Sequence, residues 1–214
     1  ILSTISEDGE AILEIVERDM PTPGPDEVVV EMQAAPINPS DMFPLLGFAD
    51  YSKGKLVADG NRQKMVAPVP PQFMDAMRAR VGQQLPVGNE GAGTVVACGD
   101  NVQHMQGKLV SLVTGQSYQR YVKSPAIACL QHKDDTSAAE AASSFVNPLT
   151  ALCFIETLRA EGHKAMVHTA AASNLGQMLL KLCQQDGIEL VTVIRSEAQA
   201  DLLKGLGAKH IVNS

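Results

Sequence analysis

The segment Ala170-Ala171-Ala172-Ser173-Asn174-Leu175-Gly176 has the residue types and spacing of a phosphate-binding turn. Small side chains let a backbone come close to a pyrophosphate, and the free N–H groups opening the next helix point toward such an anion. The fingerprint G-x-G-x-x-G of dinucleotide turns reads Ala171, Ser173 and Gly176 at its glycine positions. Only the last is glycine, the one that permits close helix–strand packing. About 20 residues further on, NAD-preferring enzymes carry an acid that accepts from the ribose hydroxyls. Arg195 and Ser196 stand there instead, a cation and a hydroxyl donor, which favours a 2′-phosphate and hence NADP(H). The competing readings are a generic turn of some other doubly wound domain, and an Arg195 that is only an exposed charge at a strand end.

The elements that must position this turn are legible around it. An apolar run at 165–169 precedes it, and Leu175, Met178, Leu179, Leu182 and Cys183 follow at helical spacing. A β-rich run at 190–194, a second helix pattern (Ala200, Leu202, Leu203, Leu206) and a third run at 210–212 complete the order strand, helix, strand, helix, strand. That order signifies right-handed βαβ units in a parallel sheet. Only the first three strands of the usual 3-2-1-4-5-6 arrangement are supplied, so the strand at 165–169 is expected as a bare apolar edge. The sequence is therefore expected to be a fragment or to continue further, the alternative being a naturally short, degenerate chain. The first part is β-rich with Gly and Pro punctuation, a barrel-like or sandwich-like unit. A hairpin is expected over 5–16 and an alternating strand over 27–34; residues 42–86 read as irregular, with a short helix over 73–81. The domains expected are 1–145 and 146–214, an α/β architecture.

Of 214 residues, 45% are hydrophobic and 19% charged, with a net charge of −7. No Lys/Arg cluster offers a nucleic-acid footprint. No unbroken apolar run approaches the roughly 20 residues that span a bilayer; the longest candidate, 138–158, is interrupted by Glu140, Pro148 and Glu156. Cys98, Cys129, Cys153 and Cys183 are far apart and form no C-x-x-C, so neither a zinc knuckle nor a disulfide framework is indicated. A cytoplasmic protein is expected. The chain starts at Ile1 without Met, so residues are expected to precede it.

The order of Ile37-Asn38-Pro39-Ser40-Asp41, Gly88-Asn89-Glu90-Gly91-Ala92-Gly93, Asn147-Pro148-Leu149-Thr150-Ala151, the turn 170–176 and Leu206-Gly207-Ala208 resembles the medium-chain dehydrogenase/reductase superfamily, most closely its zinc-free quinone oxidoreductase and enoyl reductase branches. The resemblance implies a GroES-like substrate domain beside a Rossmann domain and hydride transfer from NADPH to a small-molecule substrate. Zinc-bearing members place Cys at or near the position of Asn38 and His at that of Asn89. Amides compete poorly with thiolate and imidazole for zinc, so no metal is expected. The resemblance further implies that Asn38 and Ser40 line the site near the nicotinamide, Asn38 either donating to a substrate oxygen or simply holding its loop. Tyr51 is the candidate proton donor, Asp41 a capping residue, and Asn89-Glu90 a loop-fixing pair with Glu90 buried. On the cofactor side it points to Asn147, Thr150, Ala171, Ser173, Asn174, Leu175, Gly176, Arg195 and Ser196. Many quinone reductases carry Lys where this chain has Gln199, so Arg195 would hold the 2′-phosphate nearly alone, which a bidentate guanidinium can do. The activity expected is reduction of a quinone or another conjugated carbonyl by a homodimer. The alternatives are an enoyl-thioester reductase, wanting a basic patch such as Lys53, Lys55, Arg62 and Lys64, and a catalytically silent NADPH-binding protein.

Overall fold

A computed structural model describes residues 1–60 and 62–214; Asn61, inside the basic and polar tract 53–64, lies outside the described residues. The chain divides into two compact units, Ile1–Ser143 and Ser144–Ser214.

In the first unit, β1 (Leu2–Ile5) and β2 (Glu10–Glu14) form the hairpin expected from the Gly9 turn. β3 (Glu27–Ala34) leads into α1 (Pro39–Leu46). The region expected to be irregular is ordered. β4 (Lys55–Asp59) and β5 (Arg62–Pro68) pair antiparallel, and β5 joins β2 with Ala67 opposite Ala11 and Met65 opposite Leu13. This hairpin widens a five-stranded sheet of order β4-β5-β2-β1-β6, where β6 is Leu85–Pro86. Its signal is masked in the sequence because its pairing partner lies about 50 residues away and its outer residues Leu56 and Val57 stay exposed. The helix expected over 73–81 is reduced to one turn, α2 (Met74–Met77), flanked by 3₁₀ turns.

A second five-stranded sheet, order β10-β8-β7-β3-β9, is built from β7 (Glu90–Cys98), β8 (Leu109–Val113), β9 (Tyr121–Pro125), β10 (Leu130–Gln131) and β3. Val28, Val30, Val95, Val110, Leu112 and Val122 form its core. Val29 is buried as well, so β3 is covered on both faces and does not follow simple alternation. Glu140 accepts the N–H of Ser137 and so caps α3 (Ala138–Ala141), as the T-S-x-x-E pattern predicts.

The second unit runs α4 (Val146–Ala160), β11 (Ala165–His168), α5 (Asn174–Asp186), β12 (Glu189–Ile194), α6 (Glu197–Gly205) and β13 (His210–Asn213). The three strands are parallel in the order β11-β12-β13, with Val167 opposite Val191 and Val193 opposite Val212. Leu179, Leu180 and Cys183 of α5 meet Leu190 and Ile194 of β12, Leu203 of α6, and Ile155 of α4 in one core. Among the described residues β11 pairs with β12 alone, and Val167 on it is exposed. The stretch 138–160 is apolar enough to cross a membrane by composition. It divides into α3 and α4, however, and the 15 residues of α4 span only about 22 Å, against the roughly 30 Å of a hydrocarbon core.

Candidate active site

In the first unit the site is built where α1 starts. Pro39 pre-sets the first helical turn, and the Asp41 carboxylate reaches back to accept the Asn38 N–H at 2.7 Å, the capping role expected for it. Its other oxygen accepts the backbone N–H of Asn89 at 2.7 Å. One buried carboxylate, 1% exposed, thus ties the 38–41 turn to the 88–90 turn. Asn38 is 4% exposed and its amide donates to Glu90 Oε1 at 2.8 Å, with Glu90 itself 1% exposed. Buried carboxylates persist only when hydrogen-bonded in this way. Ser40 stands apart from this buried group: it is exposed, and its Oγ accepts from the Asn89 amide at 2.9 Å. The structure therefore brings Asn38 and Ser40 together with Asp41, Asn89 and Glu90.

Tyr51 is not brought to them. Its hydroxyl donates to the Leu46 carbonyl at 3.1 Å, at the opposite end of α1, about 9 Å along the axis from Ser40. Burial pushes its pKa up to about 12, with the Arg80 cation pulling slightly the other way. The tyrosine beside the cluster is Tyr118, which sequence reasoning missed. Its hydroxyl donates to the Pro36 carbonyl at 2.9 Å, and its pKa is pushed up to about 12 by burial first and the neighbouring Asp41 carboxylate second. Its ring lies over Gly88, where a Cβ would fall 2.5 Å from the ring and φ is +97°. That glycine, next to Asn89, was the one local signal; the contact itself depends on Ser117 and Tyr118 returning to pair with Gly88 and Val87.

In the second unit the 170–176 turn opens α5. Ser173 is its N-cap, and its Oγ accepts the Gly176 N–H at 3.1 Å. A Cβ on Gly176 would sit 2.3 Å from the Ala171 carbonyl oxygen, so this position admits glycine alone. Ala171 is buried beneath the turn. Among the described residues the N–H groups of Asn174 and Leu175 have no partner, which leaves them as donors at the positive end of the 13-residue helix. His168 ends the strand just before the turn; burial lowers its pKa, and its buried Nε2 has no partner among the described residues.

At the end of β12, Arg195 is exposed and its guanidinium has no acid partner among the described residues; its backbone N–H is held by Gln199 at 2.9 Å. Ser196 caps α6, accepting the Gln199 N–H. On α4, Thr150 Oγ1 donates to the Val146 carbonyl at 2.6 Å, while Asn147 lies half-buried in the first turn.

The donor set does not fit zinc. Both amides expected at the ligand positions are engaged as hydrogen-bond donors, and no cluster of three metal-ligating side chains occurs among the described residues. The basic tract is largely neutralised: Lys53 pairs with Asp50, Arg62 with Glu17 and Lys64 with Glu14.

No family model matches the chain. It is 33% identical over 195 residues to the mitochondrial enoyl-[acyl-carrier-protein] reductase of Arabidopsis thaliana, covering 86% of this chain and 44% of that protein. A solved structure described as a putative NADPH:quinone reductase from Mesorhizobium loti superposes with a TM-score of 0.66 at 31% identity, over 91% of this chain and 50% of that one. In sequence and in fold the chain resembles members of the medium-chain dehydrogenase/reductase superfamily. Its first unit is the GroES-like domain and its second the three-strand half of the Rossmann domain. The rat synaptic vesicle membrane protein VAT-1 homolog, 30% identical over 202 residues, is a further relative, of which this chain covers 42%. The chain thus spans about half the length of the relatives it matches.

Proposed function

We propose that this protein reduces a conjugated carbonyl, with a quinone as the leading substrate class, using NADPH as hydride donor. The observation that carries the reading is the α5 turn, whose Gly176 leaves no room for a side chain and whose open amides share a unit with Arg195, exposed at the end of the neighbouring strand and without an acid partner among the described residues. When bound, the nicotinamide supplies the hydride. Asn174 and Leu175 would hold the pyrophosphate through their N–H groups, and Arg195 a 2′-phosphate through its guanidinium. Asn147 and Thr150 are the residues assigned to the nicotinamide end, Ser196 acting behind Arg195 as a helix cap.

Without a Lewis acid, the oxyanion that develops on the substrate must meet hydrogen-bond donors. Ser40 is the exposed hydroxyl of the first unit's cluster, while Asn38 is buried with its amide turned onto Glu90 and holds its loop. Tyr51 serves this reading less well than its place in the sequence promised, since its hydroxyl is committed to Leu46. An enoyl thioester is the second reading, favoured by the 33%-identical relative that bears that name. The neutralised tract 53–64 gives a phosphorylated carrier little to dock on.

The test is NADPH oxidation by the complete protein with a panel of small quinones and, separately, with crotonyl thioesters. Saturable turnover with quinones supports the main reading and turnover with thioesters alone supports the second. Absence of saturable NADPH binding overturns both.

A further inference from the structure

Asn89 occupies a place where a loop-fixing role was expected, and its backbone N–H does that work by donating to Asp41. Its side chain does something separate. The amide N–H enters the Ser40 oxygen at 2.9 Å, so one lone pair of that hydroxyl is filled from below. A serine hydroxyl has one proton to donate, and a hydroxyl that accepts a hydrogen bond becomes a better donor through the polarisation of the chain. Among the described residues no acceptor of this chain takes the Ser40 proton, and Ser40 is exposed on the first turn of α1. The Asn89 backbone is held on both sides, its N–H by Asp41 and its carbonyl by the Thr114 N–H at 3.0 Å, which fixes the point from which the amide reaches Ser40.

We infer that Asn89 is a positioning residue that turns the Ser40 hydroxyl outward as the hydrogen-bond donor to the carbonyl oxygen of the substrate. This rests on the reductase reading above. The proton stays on Ser40 throughout; it stabilises the negative oxygen left by hydride addition, and that oxygen then takes its proton from solvent water. The residue standing where zinc-bearing relatives are expected to carry an imidazole ligand would thus polarise a hydroxyl.

The test is steady-state kinetics on the complete protein with NADPH and the best quinone. Ser40→Ala should lower kcat roughly a hundredfold, the effect of removing one oxyanion donor. Asn89→Asp keeps the shape and the backbone contacts but offers an acceptor, so Ser40 turns inward and donates to it. A kcat loss of roughly tenfold or more is expected, with the KM for NADPH unchanged. Combined with Ser40→Ala, Asn89→Asp should cost nothing further, since both remove one interaction. Asn89→Ala provides the same comparison should the aspartate variant fail to fold. Losses that multiply in the double variant, or an Asn89→Asp enzyme with the parent kcat, overturn the inference while leaving the reductase reading intact. A parent protein that turns over no quinone or thioester overturns both.

Discussion

Asp41 and Asn89, 48 positions apart in the chain, are joined by a 2.7 Å hydrogen bond from the Asn89 backbone N–H to the Asp41 carboxylate. The same carboxylate accepts the Asn38 N–H, so a single buried side chain aligns both segments of the candidate site. Replacing it by alanine strands two N–H donors, each worth about 1–3 kcal/mol when left unsatisfied. Asp41→Ala should therefore lose about 3 kcal/mol or more, read as a lower urea midpoint with an unchanged slope. A loss within about 0.5 kcal/mol, the range of ordinary surface substitutions, would show that the two turns hold their places without it.

Two glycines of the second unit separate a required close approach from a dispensable one. Gly176→Ala would push a Cβ to 2.3 Å from the Ala171 carbonyl, forcing α5 off the strand and its open amides out of place. We expect lower stability together with at least a tenfold weaker NADPH association by fluorescence titration. Gly205, near the end of α6, has nothing within 4 Å of where an added methyl would sit, so Gly205→Ala should stabilise by about 0.5–1 kcal/mol without touching affinity. Equal effects of the two substitutions on NADPH binding would count against the turn as a phosphate site.

Local pattern revealed the second unit well, because each βα step there carries its own periodicity and its own cap: Ser173 before α5, Ser196 before α6. Adjacent strands in sequence are also adjacent in the sheet, so short-range signals suffice. The first unit was less legible. Its β4–β5 hairpin is defined by pairing with β2, and Tyr118 reaches Pro36 across 82 positions. Asn38 and Ser40 were visible as residue types. What sequence could not show is that burial divides them, one amide turned inward onto Glu90 and one hydroxyl left exposed.

Arg195 provides the test of cofactor preference. Its guanidinium is exposed and without an acid partner among the described residues, and Gln199 is occupied with the Arg195 backbone. Charge-assisted hydrogen bonds contribute about 1.5–3 kcal/mol, and 1.4 kcal/mol is a factor of ten. Arg195→Ala should thus raise the KM for NADPH about ten- to a hundredfold while leaving that for NADH nearly unchanged. Equal changes for both nucleotides would refute the 2′-phosphate assignment.

The two shifted tyrosines make an alkaline prediction whose sign follows from linkage. Tyr51 and Tyr118 hold their protons to about pH 12 in the folded chain, against an ordinary value of 10, chiefly because burial disfavours the phenolate. Below pH 10 both states are protonated and the contribution to stability is fully present. Between pH 10 and 12 the unfolded chain has released protons that the folded chain still binds, so stability falls as pH rises through that window. Urea midpoints should decline from pH 10 upward, and phenolate absorbance should rise in step with unfolding. Tyr118→Phe keeps the ring over Gly88 and removes the ionisable group, so the decline should become shallower. In Tyr51→Phe the same flattening is expected with kcat preserved, because that hydroxyl serves Leu46 and lies a helix length from Ser40. A Tyr51→Phe enzyme that loses kcat more than tenfold would return Tyr51 to the catalytic group and remove the ground for setting it apart.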